Sequence, residues 1–325
     1  VRQTKYYLTN DEREKYDELA EKYFSEERDY FEDLLRFSAS MNGRAPLGVR
    51  TMMSEVKELL NYNGVEFTTN QLKSLSKKLP KGKMELTAEK DIEVETLRKM
   101  LTHADLKTKA VILTLASSGM RIGEALQIKL SDIDLDKTPP QITVRGEYTK
   151  SGDTRITFIS REAKETLQEW LKVRDRYLQS AQAKNRGLIE TGHGNEKAID
   201  DSRIFPFTDA NFRMSWDNTL MKAGLYSQDE STRFSQRRVH GLRKFFRSQL
   251  ALSCPHDIVE ALIGHEGYLT EAYRRYSQKQ LAEYYLKGEQ HVTVMRGSGD
   301  IQELQGRLEE TQVTVKGYKL SLIHI

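Results

Sequence analysis

Between Lys73 and Lys83 the chain carries Lys73, Lys77, Lys78, Lys81 and Lys83 with no acid among them, and interrupts itself with Pro80 and Gly82. Proline has no backbone N–H to give a helix, and a glycine in a helix interior costs about 1 kcal/mol relative to alanine. No regular element runs through this stretch, so the residues on its two sides must build separate cores. A chain of 325 residues has room for both, at roughly 100–200 residues per domain. The division expected is a helical domain over 1–79, a basic linker over 80–89, a larger domain over 90–290 and a tail over 291–325. The unopposed lysines read either as a solvated basic loop or as contacts to phosphates along a duplex.

Apolar periodicity fills in the two domains. Over residues 1–36, Tyr16, Leu19, Ala20, Tyr23 and Phe24 fall at helical spacing and would line one packed face. After Asn42, Gly43 and Pro46, a second helix is expected over Val49–Leu60, stopped by a turn at Asn61–Gly64. A third, over Thr68–Leu79, opens on capping residues, so the first domain reads as a small helical bundle. In the second domain, Ile92–His103 and the apolar Lys107–Ser117 are helical. Arg121 then opens a helix with Ile122, Ala125, Leu126 and Leu130 on its core stripe, where an anion would meet both a guanidinium and free backbone N–H groups. Gln141–Tyr148 and Arg155–Ile159 alternate around T-K-S-G-D-T and predict a β-hairpin with Lys150 near its tip. Helices follow over Arg161–Tyr177, packed through Ala163, Leu167, Trp170, Leu171 and Tyr177, and over Asp209–Ala223. The polar stretch Lys184–Arg203 between them reads as a flexible insertion. The fold class is therefore mainly α with a small β-hairpin or sheet.

Ile301, Leu304, Leu308, Thr311 and Val315 keep the spacing of a coiled-coil seam, over about two heptads. Leu320–Ile325 continues no pattern and is set aside from the fold, and the opening Val1 points to an incomplete or processed N-terminus. Lys and Arg exceed Asp and Glu by three, so a nucleic-acid partner would have to be met by local clusters rather than by net charge. The lone Cys254 excludes an internal disulfide and suits a reducing compartment. No apolar run reaches the ~18 residues of a membrane span, so the expectation is an intracellular protein without membrane contact.

The chemistry concentrates in Val239–Tyr276. His240 and Arg243 stand one helical turn apart, with Leu242, Phe245, Phe246 and Leu250 as the buried stripe. His265 follows Gly264 and precedes Gly267, where the backbone can turn sharply and expose it. Tyr273 and Tyr276 come next. Taken singly, Arg121 and Lys150 are ordinary surface residues, His240 an ordinary packed histidine and the tyrosines ordinary core aromatics. Taken together, in this order, H-x-x-R, then G-H, then a tyrosine about a helix later, they resemble the tyrosine recombinases, the phage-type integrases and their relatives. The narrower likeness is to integrases of archaeal mobile elements.

That resemblance implies an N-terminal helical core-binding domain and an α+β catalytic domain that clamp DNA from opposite sides of the linker. It implies Arg121 and Arg243 as clamps on the scissile phosphate, Lys150 as acid to the leaving 5′-oxygen, His240 as proton-transfer group and His265 as a phosphate ligand. Glu124 would orient Arg121. Many family members carry the nucleophile nine residues after the G-H histidine, but Arg274 occupies that position here. Tyr273, one residue earlier in a T-E-A-Y context, is the leading nucleophile and Tyr276 the competitor. The expected function is site-specific recombination or integration through a 3′-phosphotyrosyl intermediate, with no metal, ATP or other cofactor. The partners would be double-stranded DNA and three further copies in a tetramer, with the segment from Leu281 to Gly288 onward docking on a neighbouring subunit. The location would be cytoplasmic, at the nucleoid. A type IB topoisomerase-like nicking-resealing enzyme and an inactive DNA-binding regulator are the alternatives.

Overall fold

The computed structural model describes residues 10–81, 88–190, 200–230, 232–264 and 276–295. The chain divides into two compact units, Val1–Ala88 and Glu89–Ile325.

The first unit holds four helices: α1 (Asn10–Ser25), α2 (Tyr30–Ser40), α3 (Pro46–Tyr62) and α4 (Thr69–Lys78). Local chemistry sets their ends. The Asp29 carboxylate accepts from the N–H groups of Phe31 and Glu32, Pro46 opens α3, and Thr68 and Gln71 cap α4 reciprocally. Leu34, Met41, Val49, Met53, Leu60 and Leu75 form the core, with Tyr23, Phe24, Tyr30 and Phe31 packed on it. The expected stripe on the first helix is only half used. Tyr23 and Phe24 pack, whereas Tyr16 and Leu19 are about half exposed at 54% and 50%, because among the described residues the earlier turns of α1 meet no second apolar face.

The second unit is built around α6 (Leu106–Ser118), whose residues from Ala110 to Ser118 are all buried. Asp105 caps its start by accepting from the Thr108 N–H at 2.8 Å. Around it lie α5 (Val94–His103), the one-turn α7 (Ile122–Ala125), α8 (Arg161–Glu190), α9 (Asp209–Lys222), α10 (Gly241–Leu250), α11 (His256–Ile263) and α12 (Gln278–Val292). A three-stranded antiparallel sheet, ordered β1 (Ile133–Asp134), β2 (Gln141–Val144) and β3 (Arg155–Phe158), pairs Ile142 with Ile133 on one side and with Thr157 on the other. The hairpin was legible in the sequence, but the two-residue β1 is too short to show alternation. One core gathers α5, α6, α8, α9 and the sheet around Trp170, Phe212 and Trp216. A second gathers α10, α11 and α12 around Phe158, Phe246 and Tyr285. The Thr157 hydroxyl donates to Ser118 O at 2.8 Å and locks β3 to the end of α6.

Three expectations change. The helix predicted to end at Tyr177 continues to Glu190, so the first part of the supposed insertion is helical. Its far end is also tied down, since Arg174 Nε donates to Arg203 O at 2.9 Å and Arg203 pairs with Asp201. Leu130 lies 43% exposed rather than on a core stripe, because α7 lasts a single turn and the chain leaves the helical phase. Leu281, Tyr285 and Gly288, expected to dock on a neighbour, are buried within their own unit; the Tyr285 hydroxyl donates to Ser117 O at 2.8 Å. The chain continues from α12 into a clasp where Glu162 accepts from the N–H groups of Val294 and Met295, and Arg98 donates to Val294 O. Among the described residues, no helix is long and apolar enough to cross a membrane.

Candidate active site

The site begins where α6 stops. Gly119 closes that helix at φ +66°, and a Cβ there would collide with Phe246 and with Ile263 at 2.7 Å. Only glycine meets both the left-handed backbone and the close packing. The chain then turns through buried Met120 into Arg121 and α7. Glu124, on that single turn, is 2% exposed and accepts four hydrogen bonds from two arginines: from Arg121 N–H at 2.9 Å, from Arg121 Nη1 at 2.9 Å, and from Arg155 Nη2 at 2.6 Å and Nη1 at 3.4 Å. Of the backbone N–H groups expected to meet an anion here, that of Arg121 is spent on Glu124. What faces solvent is the Arg121 side chain, 39% exposed.

Arg243 comes from α10 and is almost fully buried. Its Nη1 donates to Gly119 O and its Nη2 to Ile263 O, both at 2.6 Å. Both acceptors sit at helix C-termini, where carbonyls lack partners and a positive charge is favoured. His240 is the residue before α10 and lies exposed at its mouth. Glu89, at the start of this unit, pairs with Lys244 and, at 3.5 Å, with Arg238 beside it.

Electrostatics joins these residues into one group. Burial alone would raise the Glu124 carboxyl, but hydrogen bonds from Arg155 and then Arg121 outweigh it and hold it below the ordinary carboxylate value. Burial, and after it the repulsion of Arg121, lowers Arg243 to about 10, which still leaves it charged at neutral pH. His240 is pushed down by desolvation first and then by Arg243, Lys244 and Arg121, with Glu89 opposing. The shift favours the neutral imidazole, the form able to accept a proton. Three guanidinium groups surround one buried carboxylate, with Glu260 a lesser counterweight to Arg243. A cluster with this surplus of positive charge favours an anion such as a phosphate group.

Arg121, Glu124, His240 and Arg243 are thus brought together. Lys150 is exposed in the β2–β3 connection, in a loop so tight that a Cβ on Gly146 would overlap the backbone of Gly152. Among the described residues, no hydrogen bond or ion pair joins Lys150 to the cluster. His265 and Tyr273 lie outside the described residues. Tyr276, the competing tyrosine, is half-buried and packs against the second core of this unit. Lys73, Lys77, Lys78 and Lys81 are exposed on and after α4. Lys83 lies outside the described residues. The reading of the sequence missed Arg155 and Glu89. Arg155 left a faint signal, since it stands two positions from Thr157 on β3 and hence on the same inward side.

The family model described as "Phage integrase family" matches residues 88–282, which span the whole of this cluster. The chain belongs to the phage integrase family. Tyrosine recombinase XerA of Pyrococcus horikoshii is 27% identical to this integrase-family chain over 143 residues, 44% of this chain and 47% of the relative. Tyrosine recombinase XerC of Mannheimia succiniciproducens is 28% identical over 204 residues, 60% of each. The chain spans about half the length of the curated relatives it matches. Among solved structures, XerH site-specific recombinase bound to its difH substrate aligns with a TM-score of 0.47 at 20% identity, covering 80% of this chain and 74% of that one. A lambda integrase tetramer bound to a Holliday junction aligns with a TM-score of 0.48 at 16% identity, covering 76% and 66%.

Proposed function

We propose that this chain is a site-specific DNA recombinase that cuts and rejoins DNA through a phosphotyrosyl intermediate. The observation that carries the reading is the group of Arg121, Arg155 and Arg243 around the single buried carboxylate of Glu124, with His240 at its edge. Membership of the phage integrase family supports it.

In this reading Arg121 and Arg243 hold the nonbridging oxygens of the scissile phosphate and stabilise the charge that builds on them as phosphorus becomes five-coordinate. A tyrosine hydroxyl has a pKa near 10, so it needs cations nearby and a proton acceptor at hand. His240 accepts that proton. Tyr273 forms the bond to phosphorus, the bond to the 5′-oxygen breaks, and Lys150 protonates the leaving oxygen. His265 donates a further hydrogen bond to the phosphate. The phosphotyrosyl ester keeps the energy of the broken phosphodiester, so the free 5′-hydroxyl of a partner duplex can reseal it without ATP. Exchange between two duplexes requires four such cuts, hence four copies on DNA, acting where the chromosome lies in the cytoplasm. Lys73, Lys77, Lys78, Lys81 and Lys83 are proposed to contact phosphates, and the functional division is proposed as a helical DNA-binding domain over 1–79, a linker over 80–89 and a catalytic domain over 90–290, followed by a tail.

The test uses nicked suicide duplexes tiled across the DNA flanking the gene, in which a cut strand loses its short 5′-hydroxyl fragment and cannot be resealed. An SDS-stable protein–DNA adduct on one tile is expected. DNA bound on every tile without any adduct would turn the reading into that of a catalytically inactive DNA-binding protein, and relaxation of supercoiled plasmid with no preferred tile into that of a nicking-resealing enzyme.

A further inference from the structure

We propose that Arg155 is a positioning residue of this site: it fixes Glu124 beneath Arg121 and pins the last turn of α11 against the same carboxylate. The proposal rests on the recombinase reading for the reaction it serves.

The two arginines that share Glu124 are not equivalent. Arg121 spends one guanidinium nitrogen on the carboxylate and keeps its side chain 39% exposed. Arg155 is 11% exposed and fully engaged inside the protein: Nη2 meets Glu124 Oε2 at 2.6 Å, Nη1 meets Oε1 at 3.4 Å, and Nε donates to Leu262 O at 3.2 Å. Its aliphatic stem lies where a Cβ on Gly264 would be, at 2.7 Å from Cδ, and Gly264 sits at φ +70°. Every nitrogen of its guanidinium is already bonded within the protein and the side chain is largely buried, so it acts through what it holds. It presents Glu124 in the orientation that lets the other oxygen take Arg121, and it joins that carboxylate to the end of α11.

Arg243 makes a parallel link one residue further along α11, from Gly119 O to Ile263 O. The α6–α7 junction and the α11 terminus are thus stapled twice, once by each arginine. Gly264 is the residue immediately before His265. A brace at Leu262 therefore controls where the chain leaves α11 as well as where Arg121 points. An unbraced Arg121 would still attract phosphate, but from a wider range of positions. Displacement of a reacting group by about 1 Å can cost on the order of 100-fold in rate.

The experiment uses the full chain and whichever flanking-DNA suicide duplex gives an adduct with the unsubstituted protein. Arg155→Lys keeps a charge for Glu124 but cannot hold both Glu124 and Leu262 O. It is expected to slow adduct formation by about 100-fold while duplex affinity by gel shift changes little. Arg155→Gln leaves Glu124 buried with Arg121 alone, so its carboxyl titrates higher. The adduct rate should acquire a second acid limb, in addition to the one from His240, because protonated Glu124 releases Arg121. Should Arg155→Gln fail to fold, the pair Glu124→Gln with Arg155→Gln removes the buried charge together with its partner. That variant should fold, cleave slowly and keep only the acid limb that His240 gives the unsubstituted protein. Adduct formation at the unsubstituted rate by a folded Arg155→Lys or by the double variant overturns the proposal. So does a parallel loss of binding and cleavage with an unchanged pH profile. Absence of any adduct with the unsubstituted protein would instead overturn the recombinase reading, and with it the role assigned to Arg155.

Discussion

Arg243 ties the carbonyl of Gly119 to that of Ile263, 2.6 Å on each side, and so closes the ends of α6 and α11 over one guanidinium. Removing it leaves two buried carbonyls without their donor. Arg243→Ala is expected to lower unfolding stability by about 1–3 kcal/mol, the usual cost of a buried polar group left unpaired, as read from urea denaturation. On a suicide duplex it should reduce adduct formation far more than duplex binding. Equal losses in both would make it a docking residue.

Tyr273 and Tyr276 are separated by a simple pair of substitutions. Tyr273→Phe should abolish the adduct and leave duplex affinity nearly intact. Tyr276→Phe should keep the adduct, because the ring packs on the second core of its unit and the packing survives loss of the hydroxyl. The opposite pattern, read on the same SDS gel, would move the nucleophile to Tyr276.

The depressed pKa of His240 has a definite sign. In the unfolded chain this histidine takes up a proton near 6.5, whereas the folded one does so only at lower pH. Below pH 6.5 the unfolded chain therefore binds more protons, and the contribution of His240 to stability is full above that value and lost as pH falls through the folded pKa. The adduct rate should fall in the same window as the imidazole becomes charged and can no longer accept a proton. Lys244→Gln removes a cation that lowers His240 and should shift this limb upward. Glu89→Gln removes the opposing acid and should shift it downward. Rate–pH profiles of the two variants that move together would dissociate the limb from His240.

For the lysines after Leu72, salt dependence is the informative measurement. Each of Lys73, Lys77, Lys78 and Lys81 that contacts a phosphate contributes about 0.9 to the slope of log affinity against log salt on duplex DNA. Changing all of them to alanine should weaken binding and flatten that slope. An unchanged slope would mean that they are merely solvated.

What could be read locally was read well where the signal is periodic. The apolar run Lys107–Ser117 became the buried α6, and Leu242, Phe245, Phe246 and Leu250 all lie in the core. The alternation around T-K-S-G-D-T became β2 and β3. Periodicity says which face of a helix is apolar, not whether a neighbour covers it. Tyr16 and Leu19 have the right spacing and remain exposed, and α12, taken for a surface that meets another subunit, is buried in its own unit.

By itself the sequence determined most of the helices, the hairpin, and the order of arginine, histidine and tyrosine that carries the family resemblance, because each depends on residues a few positions apart. Only the tertiary structure decided that Arg155 braces Glu124 across 31 residues and that Arg243 reaches Gly119 across 124. A guanidinium carries its charge anywhere in the chain. Which carboxylate or carbonyl it is buried against depends on how the helices and the sheet pack, and no local spacing encodes that.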